Sequence, residues 1–239
     1  PENMFFGREG EIKKIVQGLN SNSIAIIGGR RIGKTSILQR LHRDFMKPDN
    51  NWHPFYANLQ IVKNYEDFFE QIRADWGFEA KRADYSPRQF YDLASNFAKK
   101  QEEQTVFLID EVDDLLWYDV EHKEILFETF RALSQNEKCR FVFSGERVLN
   151  KRTHDSHSPL FNFCINIPLS YLDEISAECL ITEPMAIMDV EIENQQQVIK
   201  EIIDISSCHP RIIQYIFDGM ISLISNEQTR RINIEHLHK

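Results

Sequence analysis

The sequence predicts an α/β fold in which a mostly parallel sheet is covered by helices on both faces. Three observations predict it. Short apolar runs typical of buried strands alternate, in the first 168 residues, with segments in which apolar residues recur every three or four positions, as in helices. A glycine-rich loop joins one strand to the following helix. From residue 169 onward only the helical spacing is found. We therefore expect a core over residues 1–168, a small all-helical lid over 169–226 and the truncated start of a further element over 227–239.

Each element is assigned from its own pattern. Ile12, Ile15 and Leu19 share one helical face, whereas the uninterrupted run Ile24–Ile27 predicts a buried strand. Polar residues and prolines separate the elements. The expected order is a helix at 8–19, strand 24–27, a helix between 33 and 48, strand 55–59, two helices between 65 and 101, strand 106–109, a helix around 127–133, strands 141–143 and 163–167, and helices at 173–188, 195–206 and 211–224.

The composition is that of an ordinary globular protein. The 239 residues include 28 Lys and Arg against 37 Asp and Glu, which gives a net charge of −9. This acidic balance argues against a surface that binds nucleic acid through bulk charge. Because no apolar run approaches the roughly 18 residues of a membrane span, we expect neither a membrane segment nor a signal peptide. Four scattered cysteines without a CxxC pair predict reduced thiols and a cytoplasmic location.

The glycine-rich loop carries the most specific motif. Residues 28–35 have the sequence GGRRIGKT and fit the pattern GxxxxGK[ST] between a buried strand and a helix. Glycines let the backbone approach a phosphate closely, so that consecutive N–H groups and the helix N-terminus face the anion. The motif therefore predicts a phosphate-binding loop. The residues expected to bind the nucleotide are Gly28, Gly29, Arg30, Arg31, Ile32, Gly33, Lys34, Thr35 and Ser36.

Within this loop, Lys34 is expected to bridge the β- and γ-phosphates, and the hydroxyl of Thr35 is expected to bind Mg²⁺. Arg30 and Arg31 add to a locally basic stretch. That stretch either steers phosphate, contacts a partner or is simply solvated.

An apolar strand delivers two acids at its C-terminal end, where parallel sheets bind their ligands. Asp110 and Glu111 directly follow Val106–Ile109. Asp110 is expected to hold Mg²⁺, directly or through water, and Glu111 to orient or deprotonate the attacking water. Asp113 and Asp114 are interpreted as solvated or helix-capping residues.

The nucleotide class follows from what the sequence lacks. A GTPase carries an Asn/Thr-Lys-x-Asp signature, and the nearest string, Asn150–Thr153, has no aspartate. Adenine is therefore favoured. The glutamate directly after Asp110 favours water activation, and hence hydrolysis, over a small-molecule kinase.

Five motifs occur in one order and carry a family resemblance. They are FFGRE at 5–9, GGRRIGKTS at 28–36, FLIDEVD at 107–113, FVFSG at 141–145 and CHPRIIQ at 208–214. This order resembles the STAND class of signalling P-loop ATPases, particularly the archaeal-ATPase-like branch, which is similar to the AAA+ initiator ATPases. The resemblance spans nearly the whole chain. It implies a P-loop NTPase three-layer αβα sandwich with five strands, in which an extra strand lies between the phosphate-loop and acidic strands, then a helical lid and usually a winged helix.

The resemblance also implies roles for single residues. Ser144 takes the strand-end position that senses γ-phosphate or the lytic water, although a strand-terminating turn explains it nearly as well. Pro210 takes the position of a proline near adenine, but Cys208 replaces the glycine usual in that motif. Arg211 takes the position of a lid arginine that reaches the γ-phosphate in initiator relatives, with an ordinary helix-start arginine as the alternative. Arg8 lies at the nucleotide edge, where helix capping or a surface ion pair is the alternative.

The functional expectation is an ATP-binding and ATP-hydrolysing regulatory switch module of a larger multidomain protein, with Mg-ATP or ADP between core and lid. Two alternatives stay open. One is a DNA-associated AAA+ initiator or loader fragment, which the net charge of −9 disfavours. The other is a non-hydrolysing ATP-binding scaffold. We expect protein partners or self-association through domains beyond this chain, and no membrane partner.

Overall fold

A parallel five-stranded sheet forms the centre of the larger of two units in this computed structural model, which describes residues 5–78, 81–136 and 139–238. The strands are β1 (Ser23–Ile27), β2 (Trp52–Asn58), β3 (Gln104–Asp110), β4 (Cys139–Gly145) and β5 (Cys164–Pro168). Their order is β2-β3-β4-β1-β5, and every neighbouring pair is parallel. The predicted parallel sheet is confirmed, with the extra strand β4 between β1 and β3.

Seven helices accompany this sheet in the described chain. They are α1 (Glu9–Leu19), α2 (Lys34–Phe45), α3 (Tyr65–Trp76), α4 (Pro87–Ala98), α5 (Asp113–Glu121), α6 (Ile125–Asn136) and α7 (Arg147–His154), with a 3₁₀ turn at Arg82–Asp84 before α4. Local sequence explains several boundaries. The side chain of Asn64 caps α3 by accepting from the backbone N–H of Asp67, and Ser86 caps α4 just before Pro87.

An aromatic layer fixes the strands relative to one another. Phe55, Phe107 and Phe141 occupy matching register positions on β2, β3 and β4, with ring centroids 5.4 and 5.1 Å apart. Phe90 of α4 and Phe130 of α6 are buried against this layer. Such a densely packed core resists displacement. It therefore holds the C-terminal ends of β3 and β4 in a defined position.

Two helices, α5 and α7, have no counterpart among the predicted elements. Helix α7 is mostly polar and buries only Leu149 and Thr153, so its apolar periodicity is weak. Its N-terminus is capped from outside by Asp113, whose carboxylate accepts from the backbone N–H groups of Glu146 (2.6 Å) and Val148 (2.7 Å). The cap comes from a residue more than 30 positions away, so no local pattern announces this helix.

Gly145 allows this cap to form. A Cβ atom at Gly145 would lie 2.8 Å from the Cβ of Leu149 and would collide with the carboxylate of Asp113. We expect Gly145→Ala to lower the free energy of unfolding by about 1–3 kcal/mol, because the cap or the strand end must move. Thermal unfolding followed by far-UV circular dichroism measures this.

The matched control is Gly10→Ala in α1, where an added Cβ meets no atom within 4 Å. This substitution should leave the free energy of unfolding unchanged or raise it slightly, because alanine has a higher helix propensity than glycine. Equal melting temperatures for the two variants would contradict the close approach at Gly145.

The smaller unit is mainly helical. It comprises residues 5–10, 31–33 and 170–238 of the described chain. Its elements are α8 (Glu174–Ile187), β6 (Glu191–Ile192), α9 (Gln195–Ser206), α10 (Pro210–Asn226), β7 (Arg231–Ile232) and α11 (Ile234–Leu237). The helical prediction holds, but the expectation that the region contains helices alone is wrong, because β6 and β7 pair in parallel. Two-residue strands are too short to give a periodic pattern.

Residues 231–237 belong to the packed part of this unit. Ile232 is fully buried, and Ile234 and Leu237 pack against the same apolar cluster as Ile202 and Ile213. A capping box at Asn233 starts α11. The idea that 227–239 begins a further domain stays a prediction. No helix among the described residues is both long and apolar enough to cross a membrane.

Candidate functional site

The C-terminal ends of β1, β3 and β4 meet at one edge of the sheet. Ile27 is in register with Gly145, and the backbone N–H of Gly28 donates to the carbonyl of Gly145 (3.3 Å). The glycine-rich loop and the segment after β4 therefore run side by side. Parallel sheets bind ligands at this edge.

Lys34 occupies the centre of this edge. Its side chain is only 3% exposed, and its ammonium donates to the carbonyls of Gly28 (3.0 Å) and Gly29 (2.9 Å). It also lies 3.5 Å from the carboxylate Oε1 of Glu146. The loop thus curls around a buried cation.

Two further residues of the predicted phosphate loop have left-handed backbone conformations. Arg31 and Gly33 have positive φ values of 60° and 101°. Gly33 adopts this conformation without the steric cost that a Cβ would add. The first turn of α2, from Lys34 through Thr35 and Ser36, contains no acidic residue, so its N-terminus is electrostatically suited to an anion.

A second cluster joins the ends of β3 and β4. Asp110 is fully buried, and its Oδ1 accepts a hydrogen bond from the hydroxyl of Ser144. The backbone N–H of Glu111 donates to the same Ser144 oxygen (3.2 Å), and the hydroxyl of Tyr56 donates to Oδ2 of Asp110 (3.4 Å). The single hydroxyl hydrogen of Ser144 is therefore directed at Asp110. Its predicted role toward γ-phosphate or water stays a prediction.

Glu111 is half-buried beside these groups. Burial raises the pKa of its carboxyl above the ordinary value, and the neighbouring acids act in the same direction, while the ammonium of Lys34 opposes them. Its backbone has a φ of 55°, an uncommon left-handed conformation for a non-glycine residue. The expected role of Glu111 as the residue that orients or deprotonates water stays a prediction.

The donor set fits a magnesium ion. Within the part of the chain that the structure describes, no lysine or arginine lies within ion-pair distance of the buried Asp110. Burying a carboxylate is costly unless it is hydrogen-bonded, paired with a cation or bound to a metal, and the hydroxyls of Ser144 and Tyr56 supply only hydrogen bonds to Asp110. Hydroxyl and carboxylate oxygens, such as those of Thr35 and Asp110, are the kinds of ligand that Mg²⁺ takes from a protein when phosphates and waters supply the remainder. The predicted binding of Mg²⁺ by these two residues stays a prediction.

Ser144 offers a direct test of this cluster. We expect Ser144→Ala to lower the free energy of unfolding by about 1–3 kcal/mol, because a buried oxygen of Asp110 loses its donor and the N–H of Glu111 loses its acceptor. Urea denaturation measures the change. Ser222→Ala, at an exposed serine on α10, removes a hydroxyl that donates to the carbonyl of Asp218 in the same helix and should change stability little. Identical urea midpoints for wild type and Ser144→Ala would rule out the bridging role.

The remaining predicted residues lie in the smaller unit. Arg8 is buried, and its guanidinium donates to the carbonyls of Ile32 (3.3 Å) and Ser170 (2.6 Å). Pro210 occupies the first turn of α10, and the exposed Arg211 donates its backbone N–H to the ring of His209 (3.2 Å). The proposed contacts of Arg8, Pro210 and Arg211 with nucleotide stay predictions.

The cysteine that replaces the usual glycine adopts a glycine-like conformation. Cys208 has a φ of 61°, and Ser207 before it has a φ of 48°. The backbone N–H of Leu172 donates to the carbonyl of Cys208 (3.1 Å). The loop therefore keeps a left-handed turn at some steric cost.

Sequence reasoning missed Glu146 at this edge and did not identify the helix that Asp113 caps. Glu146 follows β4 as Glu111 follows β3, and the rule that ligands lie at the ends of parallel strands could have identified it. Asp113 was expected to be solvated or to cap a helix. It does cap one, but the helix is α7 rather than its own. The side chain of Asp114 is exposed and pairs with Lys63.

Known proteins share this architecture. A family model for the AAA domain matches residues 19–153, more than half of the chain. The Walker-type ATPase of Pyrococcus abyssi superposes with a TM-score of 0.70 at 15% identity, over 87% of this chain and 66% of that chain. The Aeropyrum pernix ORC2 protein, solved as ADPNP-ADP complexes, superposes with a TM-score of 0.75 at 13% identity. The match covers 98% of this chain and 67% of the ORC2 chain. The Aeropyrum pernix ORC1 protein, solved in complex with DNA, superposes with a TM-score of 0.73 at 13% identity. The match covers 99% of this chain and 65% of the ORC1 chain.

Identities this low establish the fold alone. The chain spans about two thirds of the length of these solved structures. No curated protein matches it. The predicted P-loop NTPase fold is confirmed by the sheet order together with these superpositions.

Proposed function

The chain belongs to the AAA domain family, and from this premise we propose that it binds and hydrolyses Mg-ATP as a regulatory switch module of a larger protein. The observation that carries the proposal is the position of Lys34. Its buried ammonium is held by two loop carbonyls and lies 3.5 Å from the carboxylate of Glu146, at the sheet edge where P-loop proteins bind phosphate.

Each residue has a chemical task in this proposal. Lys34 binds the β- and γ-phosphates, while the N–H groups of the loop and of the first turn of α2 bind phosphate oxygens. Thr35 and Asp110 would hold Mg²⁺, and the bound ion would supply positive charge to the phosphates. Glu111 orients the attacking water and accepts its proton. Ser144 positions both acids, because its hydroxyl contacts Asp110 and the N–H of Glu111.

The switch role rests on Arg8. Its guanidinium bonds the carbonyl of Ile32 in the phosphate loop and also that of Ser170, where the smaller unit continues after β5. A change in loop conformation on phosphate binding therefore acts directly on a group that bonds Ser170. A ligand shifts a conformational equilibrium when it makes different contacts in the two states. We propose that the coupling between the phosphate loop and Ser170 through Arg8 serves signalling, as in the STAND class, rather than a metabolic reaction.

The test is to denature freshly purified protein and identify the nucleotide that it releases, then to follow Mg-ATP binding and single-turnover hydrolysis. Stoichiometric ADP supports a closed switch that awaits exchange. Empty protein that turns over Mg-ATP freely supports a cycling ATPase. Protein that binds Mg-ATP without single-turnover hydrolysis is a scaffold. Empty protein without affinity for ATP contradicts the proposal.

A DNA-associated initiator or loader module is the second candidate. It is favoured by the similarity in fold to the ORC1 protein solved in complex with DNA. The net charge of −9 counts against it. Fluorescence anisotropy with labelled duplex DNA at several salt concentrations separates the two, since binding through phosphates weakens steeply as salt rises.

A further inference from the structure

Glu146 lies in a cavity beside the phosphate loop. The cavity has a volume of about 730 Å³. Its lining residues are Ile27, Gly28, Gly29, Arg30, Glu146, Arg147 and Asn150. The carboxylate Oε1 of Glu146 is 3.5 Å from the ammonium of Lys34 and 3.7 Å from Nε of Arg30. The side chain is 24% exposed, so its charge is only partly screened by solvent.

The position of Glu146 is built into the fold. Its backbone N–H donates to Asp113 (2.6 Å), and the preceding Gly145 lies in β4, in register with Ile27. Two independent restraints, a sheet register and a helix cap, therefore hold the segment that carries the carboxylate. Neither restraint uses the side chain of Glu146 itself.

Lys34 has three N–H donors. Two of them are used by the carbonyls of Gly28 and Gly29, and the carboxylate of Glu146 faces the ammonium as a third partner. A phosphate oxygen that binds Lys34 must share this last donor with Glu146 or displace it. A phosphate that shares the donor comes within a few ångströms of the carboxylate, which is unfavourable. A phosphate that displaces Glu146 must break the contact of that carboxylate with the ammonium.

We propose that Glu146 competes with nucleotide phosphate for Lys34 and thereby limits the affinity of the site for nucleoside di- and triphosphates. This inference rests on the proposed function. Glu146 acts in it as an affinity-determining residue, distinct from Glu111. Tight nucleotide binding then requires the carboxylate to leave Lys34. The fraction of protein with bound nucleotide therefore depends on the other contacts that the Glu146 side chain makes, such as the one with Arg30.

The test is Glu146→Gln, which removes the charge, keeps the shape and leaves the backbone cap on Asp113 intact. Isothermal titration with Mg-ATP, with ADP and with inorganic tripolyphosphate measures the dissociation constants. We expect binding at least about fivefold tighter than in wild type at low salt, with the difference shrinking as ionic strength rises. Glu102→Gln removes the same charge from an exposed position outside the site and should leave affinity unchanged.

Unchanged or weaker binding by Glu146→Gln overturns the inference, and so does equal tightening by Glu102→Gln. The proposed function is judged separately, by whether wild type binds Mg-ATP at all. If wild type and Glu146→Gln both fail to bind, both proposals fall. If wild type binds and Glu146→Gln binds equally, only the competition is excluded.

Discussion

Glu111→Gln should abolish ATP turnover while leaving Mg-ATP binding intact. The amide keeps the size of the carboxylate but cannot accept a proton from water. Loss of a positioned general base costs about a hundredfold or more in rate. Binding should persist because Lys34 and the loop, rather than Glu111, contact the phosphates in the proposed site. Single-turnover hydrolysis and equilibrium binding measured on the same preparation separate the two effects.

The matched control is Asp114→Asn, which neutralises an acid three residues away whose exposed side chain pairs with Lys63. It should keep normal turnover. Hydrolysis at the wild-type rate by Glu111→Gln would show that Glu111 is not the general base. Glu146, whose carboxylate lies 3.5 Å from the ammonium of Lys34, would then be the next candidate. Loss of binding together with turnover would indicate that the carboxylate of Glu111 also supports the structure of the site.

Lys34→Met should eliminate nucleotide binding. The thioether keeps the buried aliphatic stem but removes the cation that bridges the phosphates, so we expect affinity to fall by about a hundredfold or more, the loss expected when a buried charge-assisted contact disappears. The carbonyls of Gly28 and Gly29 also lose their common donor. Titration with a fluorescent ATP analogue measures the affinity, and thermal unfolding verifies that the variant is folded.

Lys47→Met controls for the loss of a positive charge, because Lys47 lies just after α2, is mostly exposed and forms an ion pair with Asp44 at the end of that helix. Its affinity should equal that of wild type. Retained affinity in a folded Lys34→Met variant would contradict the assignment of the phosphate loop. A Lys34→Met variant that releases no nucleotide on denaturation, whereas wild type releases ADP, would support it.

Much of this architecture could be predicted from the sequence because its determinants are local. The apolar run at β1, the GxxxxGKT pattern and the helical spacing of Ile37, Leu38 and Leu41 are contiguous, and each pattern has a physical cause within a few residues. The same holds for Asp110 and Glu111, which directly follow the buried strand β3. The sequence could also place the strand β4 between β1 and β3, through the resemblance of five ordered motifs.

Other features depend on residues distant in sequence. Helix α7 starts because Asp113 caps it from the beginning of α5, and Gly145 is needed because that carboxylate lies against it. Ser144 of β4 donates a hydrogen bond to Asp110 of the neighbouring strand β3. Glu146 faces Lys34 across more than 100 residues of chain. A pattern search over a short window of sequence does not contain both partners of any of these contacts.

By itself the sequence determined that this chain is an α/β protein with a GxxxxGKT loop and an acidic strand end, since strand, loop and helix propensities act over short distances. Tertiary structure alone decided how the acids share the site: Asp110 and Glu111 meet at Ser144, Asp113 caps α7, and Glu146 faces Lys34. The physical reason is that parallel strands bring their C-terminal ends to one edge, and only the folded register sets which side chains meet there.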